Sequence, residues 1–140
     1  MKRSTILLKL LLITLIGTLL FTSSCELDSD PVTTDPRDNF VGTWIVDEQS
    51  TLFGNNNYTV TIRKDPDNST QVLIANFYHF GNEFDTYAIT TIGSITVPQQ
   101  EVCNHMVQGT GQRDRNKITW TYTVSDGADL DNVTAVFTKQ

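Results

Sequence analysis

The side chains able to do chemistry are few, and their spacing limits what they could do. Cys103 and His105 stand two apart, which on a strand puts both on one face. A metal centre needs three or four such ligands and His79 is the only other histidine, so no metal site is expected. Asp126, Asp129 and Asp131 crowd one turn and Asp65 with Asp67 another, but neither run has the calcium-loop spacing with its closing glutamate. Aspartates in such turns satisfy the turn itself. Gly109-Thr110-Gly111 lacks the Lys-Ser/Thr that a phosphate loop requires. Two carboxylate pairs remain for acid–base work. Asp47 and Glu48 are adjacent and point to opposite faces of a strand, whereas Glu83 and Asp85 share a face. A hydrolase working through Glu83 and Asp85 is the alternative functional reading. No Gly-x-Ser-x-Gly elbow occurs, so no catalytic residue is assigned and no cofactor is implied.

The densest group of rings is Phe77, Tyr78, Phe80, Phe84 and Tyr87, with His79 among them. They bracket the Gly81-Asn82 turn, which places several near one end of whatever the strands build. Such rings bury much area at small entropic cost, so Phe77, Tyr78, His79, Phe80 and Phe84 form the candidate ligand-binding group. The competing expectation is that they plug the interior of a small domain, as most apolar side chains do.

These groups sit in a chain of 140 residues with a net charge of −6, enough for one domain behind a leader segment. The acidic balance argues against a nucleic-acid partner. Lys2 and Arg3 precede an uncharged run from Leu10 to Phe21 and the small residues Thr22, Ser23 and Ser24. The run is too short for a bilayer-spanning helix and reads as the core of a signal peptide over residues 1–24. The next residue is Cys25, with Thr22 three positions before it where a lipobox usually has leucine. This junction resembles that of bacterial lipoprotein precursors. The resemblance implies cleavage before Cys25, its modification by lipid, and anchoring to a bacterial envelope membrane without a spanning helix. Residues 25–39 then carry Glu26, Asp28, Asp30, Asp35 and Asp38 with Pro31 and Pro36 and almost nothing large and apolar. That composition predicts a disordered acidic tether. Its first acidic residues are similar to signals that carry some lipoproteins to the cell surface, and they serve equally well as plain solubilising charge. The expected membrane is the outer one, with the cell surface as a further destination.

From Phe40 onward, apolar residues recur with period two. Tyr58, Val60 and Ile62 alternate with Thr59, Thr61 and Arg63. Ile118, Trp120, Tyr122 and Val124 alternate with threonines, and Val133, Ala135 and Phe137 follow the same rule. Turn residues separate eight expected strands at about 41–50, 57–64, 70–79, 83–92, 95–102, 105–110, 117–125 and 132–139. Short connections favour sequential antiparallel pairing, and closing the sheet removes its two exposed edges. The expected fold of residues 40–140 is therefore all-β, a small eight-stranded antiparallel up-and-down barrel.

Phe40-Val41-Gly42-Thr43-Trp44 resembles the G-x-W signature that opens the first strand of lipocalins and their calycin relatives. The resemblance implies that Trp44 packs across a closed barrel end. The chain has no T-D-Y motif and its domain is shorter than an ordinary lipocalin, so the ligands of those proteins are not carried over. Short strands give about three inward positions apiece, and a barrel of this width is just filled by side chains such as Trp44, Tyr58, Ile62, Ile74, Trp120, Tyr122 and Phe137. A filled interior leaves the mouth as the expected binding surface, for a small hydrophobic ligand, a glycan or an envelope protein.

Overall fold

The computed structural model describes residues 34–140. The leader, Cys25 and residues 25–33 of the expected tether lie outside the described residues. Eight strands follow one another as β1 (Gly42–Ser50), β2 (Gly54–Lys64), β3 (Gln71–Ala75), β4 (Asp85–Thr90), β5 (Ser94–Val102), β6 (His105–Asp114), β7 (Lys117–Ser125) and β8 (Leu130–Lys139). Each pairs antiparallel with the next, and β8 returns to β1 through Trp44↔Lys139 to Ser50↔Val133, closing the barrel. The inward residues are the alternating apolar ones: Trp44 and Val46 on β1, Val60 and Ile62 on β2, Ile118, Trp120 and Tyr122 on β7, and Val133, Ala135 and Phe137 on β8 are all buried. The outward partners are largely threonine, which suits an exposed pleated surface.

Several strand bounds differ from those expected, each for a local reason. The first turn is Thr51–Phe53 rather than Gly54 to Asn57, because Ser50 Oγ accepts the backbone N–H of Leu52 (3.1 Å) and Phe53 (2.8 Å) in place of a glycine turn. The third strand ends at Ala75, where Asn76 turns left-handed (φ 66°) and Phe77–His79 leave the sheet as a 3-10 turn. β6 runs through Gly109 and Gly111 to Asp114. A Cβ on Gly109 would collide with Tyr122, and one on Gly111 would come within 2.8 Å of Ile95 and Ile118, so both glycines let strands close on the core. Between β4 and β5 only Ile89↔Thr96 and Thr90↔Ile95 pair. Beyond the bulge after Val97, the Gln100 amide replaces the ladder. It accepts from Tyr87 N–H (3.1 Å) and donates to the Tyr87 carbonyl (2.8 Å).

The chain enters at the end of the barrel that holds Gly42, here the lower end. Asp35 to Asn39, expected to belong to the tether, form instead a capped 3-10 turn. The Asp35 carboxylate accepts from Arg37 N–H (3.0 Å), and Pro36 occupies the first turn. Arg37 reaches across to donate to the carbonyls of Asp65 (3.3 Å) and Asn68 (3.1 Å), and Asn39 donates to that of Ile92 (3.0 Å). Phe40 then fills the lower lumen and its carbonyl accepts from Trp44 Nε1 at 2.8 Å. The lower end is sealed, with Trp44 wholly buried there. Trp44→Ala should cost about 3–5 kcal/mol, the range for removing a buried large ring. Chemical denaturation of the full chain measures this, and a loss below about 1 kcal/mol would show that Trp44 does not hold that end.

Candidate functional site

The upper end carries the turns 51–53, 76–84, 103–104 and 126–129. Its main feature is the segment from Asn76 to Phe84, which crosses the mouth as a strap. Asn76 anchors it: Nδ2 donates to the Thr59 carbonyl (2.8 Å), and Oδ1 accepts from Gly81 N–H (2.9 Å). Asn76, Tyr78 and His79 all have positive φ (66°, 54° and 61°). Asparagine tolerates this region, but a tyrosine there costs about 1–2 kcal/mol. The strain sets Phe77 pointing down into the barrel, wholly buried, with its ring centroid 4.7 Å from Tyr122 and 5.5 Å from Trp120.

Beneath and beside the strap lie two buried carboxylates. Glu48 (3% exposed) accepts from the hydroxyls of both Tyr58 and Tyr122 on one oxygen. Asp131 (1% exposed) accepts from Ser50 Oγ (2.5 Å), Tyr78 Oη (2.7 Å), Thr51 N–H (2.8 Å), Thr51 Oγ1 (2.9 Å) and Leu52 N–H (3.2 Å). Burial alone would raise the Asp131 pKa, but the donated hydrogen bonds outweigh it and hold the carboxyl below its ordinary range. Asp131 therefore does two jobs. It ties Tyr78 of the strap to β8, and it fixes the 51–53 turn whose Leu52 and Phe53 side chains face solvent.

The candidate residues read from the sequence thus separate. Phe77 fills the core. Tyr78, Phe80 and Phe84 are half-buried and pack against that core, with Tyr78 and Phe80 edge to face at 5.2 Å. His79 is exposed and stacks on Tyr58 (5.1 Å, interplanar 9°). Phe80 also meets His105 at 5.2 Å, and His105 Nδ1 donates to the Cys103 carbonyl at 2.8 Å. Glu83 and Asp85 are exposed, and the Asp85 carboxylate is engaged by both terminal nitrogens of Arg63. Among the described residues no three His, Cys, Asp or Glu side chains come together to hold a metal ion.

Around the strap opens a small pocket of ≈ 70 Å³, walled by Leu52, Phe53, Tyr78, His105, Val124 and the aspartates 126, 129 and 131. Larger depressions of ≈ 460 and ≈ 500 Å³ lie on the outer wall, the first over β5–β7 and the second over β7, β8, β1 and the start of β2, shallow saddles lined mainly by threonine, glutamine and asparagine. Sequence reasoning missed three parts of the upper end: Glu48 as a buried acceptor, Asp131 as a brace, and Leu52-Phe53 as exposed apolar side chains. The last left a signal, since two large apolar residues beside a hairpin glycine are out of place in a turn.

Burial pushes the phenols of Tyr58, Tyr78 and Tyr122 far above their ordinary pKa of about 10, and the carboxylates of Glu48 and Asp131 add to this. The folded barrel keeps the neutral phenols, so their contribution to stability is whole below pH 10 and is lost as pH rises past it. In the Tyr87→Phe variant, whose remaining tyrosines are these three, tyrosinate absorbance should appear only together with loss of the barrel's circular dichroism. A smooth titration near pH 10 with the fold intact would show that the phenols are not held in this way.

No family model matches the chain, and no curated protein matches it. Among solved structures it is similar to a redesigned beta barrel, b11L5F_LGL, with a TM-score of 0.55 and 15% identity over 77% of this chain and 97% of that one. It is also similar to EF1p2_mFAP2b, whose structure is described as bound to DFHBI, with a TM-score of 0.52 and 16% identity over 76% of this chain and 100% of that one. At these identities the likeness is one of fold: a closed eight-stranded antiparallel barrel.

Proposed function

We propose that this chain is a lipid-anchored protein of a bacterial envelope membrane, most simply the outer one, whose barrel presents its upper end as a non-enzymatic binding surface. The observation that carries this reading is the contrast between the two ends. The lower end is where the chain enters, and it is closed by Arg37, Phe40 and Trp44. The upper end has a pocket walled in part by Leu52 and Phe53, whose turn is fixed by hydrogen bonds to Ser50 and the buried Asp131. The described chain begins at the sealed end, and the mouth lies at the other. That a barrel of the same fold is described as bound to DFHBI supports small-ligand binding as within reach of the architecture. In this chain Phe77 occupies the lumen, which moves recognition to the mouth. Candidate occupants are a small hydrophobic ligand, a glycan or an envelope protein.

The address is tested by metabolic labelling with radioactive palmitate in a Gram-negative host. Cys25→Ala should abolish incorporation, and Cys103→Ala should leave it intact. Equal labelling of both variants would overturn the anchored reading.

A further inference from the structure

Large apolar side chains gather at the upper rim although water surrounds them. Phe53 is 76% exposed, Leu130 56%, Leu52 50% and Met106 39%. Leu52 and Phe53 belong to a turn whose N–H groups are bound by Ser50 and by the buried Asp131, so they are held outward in one geometry. Rigid exposed apolar groups around a pocket mark an interaction surface. Preorganisation lowers the ordering cost of binding there.

The pocket that Leu52 and Phe53 border is negative. Asp126, Asp129 and Asp131 line it, and Asp126 is held ionised by the N–H groups of Asp129 and Ala128. Among the described residues no lysine or arginine pairs with any of the three. The carboxylates do not converge to hold a metal ion. At ≈ 70 Å³ the space is well below the ~300–1,000 Å³ of pockets that enclose a drug-sized ligand. It fits the head of one side chain.

Charge decides between the possible occupants. A lipid surface would bring phosphates against the aspartates. A second copy docking by the same rim would set two negative pockets face to face. A wholly apolar partner would strip water from carboxylates and give nothing back. We infer that the upper rim docks a partner protein through a segment carrying an arginine or lysine flanked by apolar side chains. The cationic head enters between Asp126, Asp129 and the exposed face of Phe53, where carboxylate and ring both attract it. A flanking side chain lies on Leu52.

This inference rests on the reading of the upper end as the binding end, and the experiment separates the two. The full-length chain, held in lipid nanodiscs by its own anchor, is probed by surface plasmon resonance with acetyl-Leu-Arg-Leu-amide and with the same peptide carrying citrulline. The arginine peptide should bind about tenfold tighter, as expected for a charge-assisted hydrogen bond. Asp129→Asn should remove that preference, and Phe53→Ser should weaken both peptides; both positions are exposed, and circular dichroism checks the fold. Equal binding of the two peptides, still lost in Phe53→Ser, would overturn the basic partner and leave the mouth as the binding end. Binding of both peptides unaffected by either substitution, or no binding up to about 10 mM, would overturn both readings. Self-association of the wild-type chain that Phe53→Ser abolishes would assign the rim to a second copy and would also overturn the inference.

Discussion

Closing eight short strands leaves an interior one layer of side chains wide, and every inward position must help fill it. In this chain β4 gives the interior only Thr86, Ala88 and Thr90, all buried and none large. β7 and β8 give Trp120, Tyr122 and Phe137. The remaining space is filled from outside the sheet, by Phe40 at the lower end and by Phe77 on the strap at the upper. Most features of the upper end follow from that requirement. The strap must turn back on itself within a few residues, hence the left-handed backbone at Asn76, Tyr78 and His79. A strained segment persists only where its surroundings hold it, and here Asn76, Tyr78 and the His79–Tyr58 stack do so.

Buried carboxylates are the second half of the same device. Glu48 collects two phenols from β2 and β7, and Asp131 collects donors from β1, the first turn and the strap. A hydrogen bond to an ionised acceptor such as Asp131 is roughly twice as strong as a neutral one, and donors drawn from three elements fix the relative position of all three. The polar network does for the upper end what Arg37, Phe40 and Trp44 do for the lower. The difference is what each leaves outside. Each leaves an apolar side chain in water, Ile92 at the lower end and Leu52 and Phe53 at the upper, but only beside Leu52 and Phe53 does a pocket lined by aspartates open.

The barrel was legible because alternation with period two is a direct readout of which face is buried. Ile118 to Val124 and Val133 to Phe137 could hardly be anything but half-buried strands. The G-x-W resemblance likewise located Trp44. What stayed hidden was tertiary. Val72, Ile74 and the rings after them read as one strand over 70–79, and only Asn76, a residue at ease left-handed, hinted at the break. Asp35-Pro36 looked like tether because its composition is polar, although an aspartate before a proline is also a helix-start signal. Asp131 was indistinguishable from its turn neighbours Asp126 and Asp129, since burial of a carboxylate depends on donors 81 and 80 residues away at Ser50 and Thr51. Glu48 was correctly placed opposite Asp47, but nothing local revealed the two tyrosines waiting for it.

Phe77 fills the lumen beneath the strap, leaving the mouth as the open surface of the upper end. The most direct measurement is thermal unfolding of the full chain and of Phe77→Ala with and without benzene. A ligand that binds only the folded state raises the melting temperature. The wild-type barrel should melt at the same temperature with or without benzene, while Phe77→Ala should melt lower and be raised by it, one ring replacing another. A wild-type chain that benzene stabilises would contradict the account, because it would mean that the lumen under the strap is already open to a ligand.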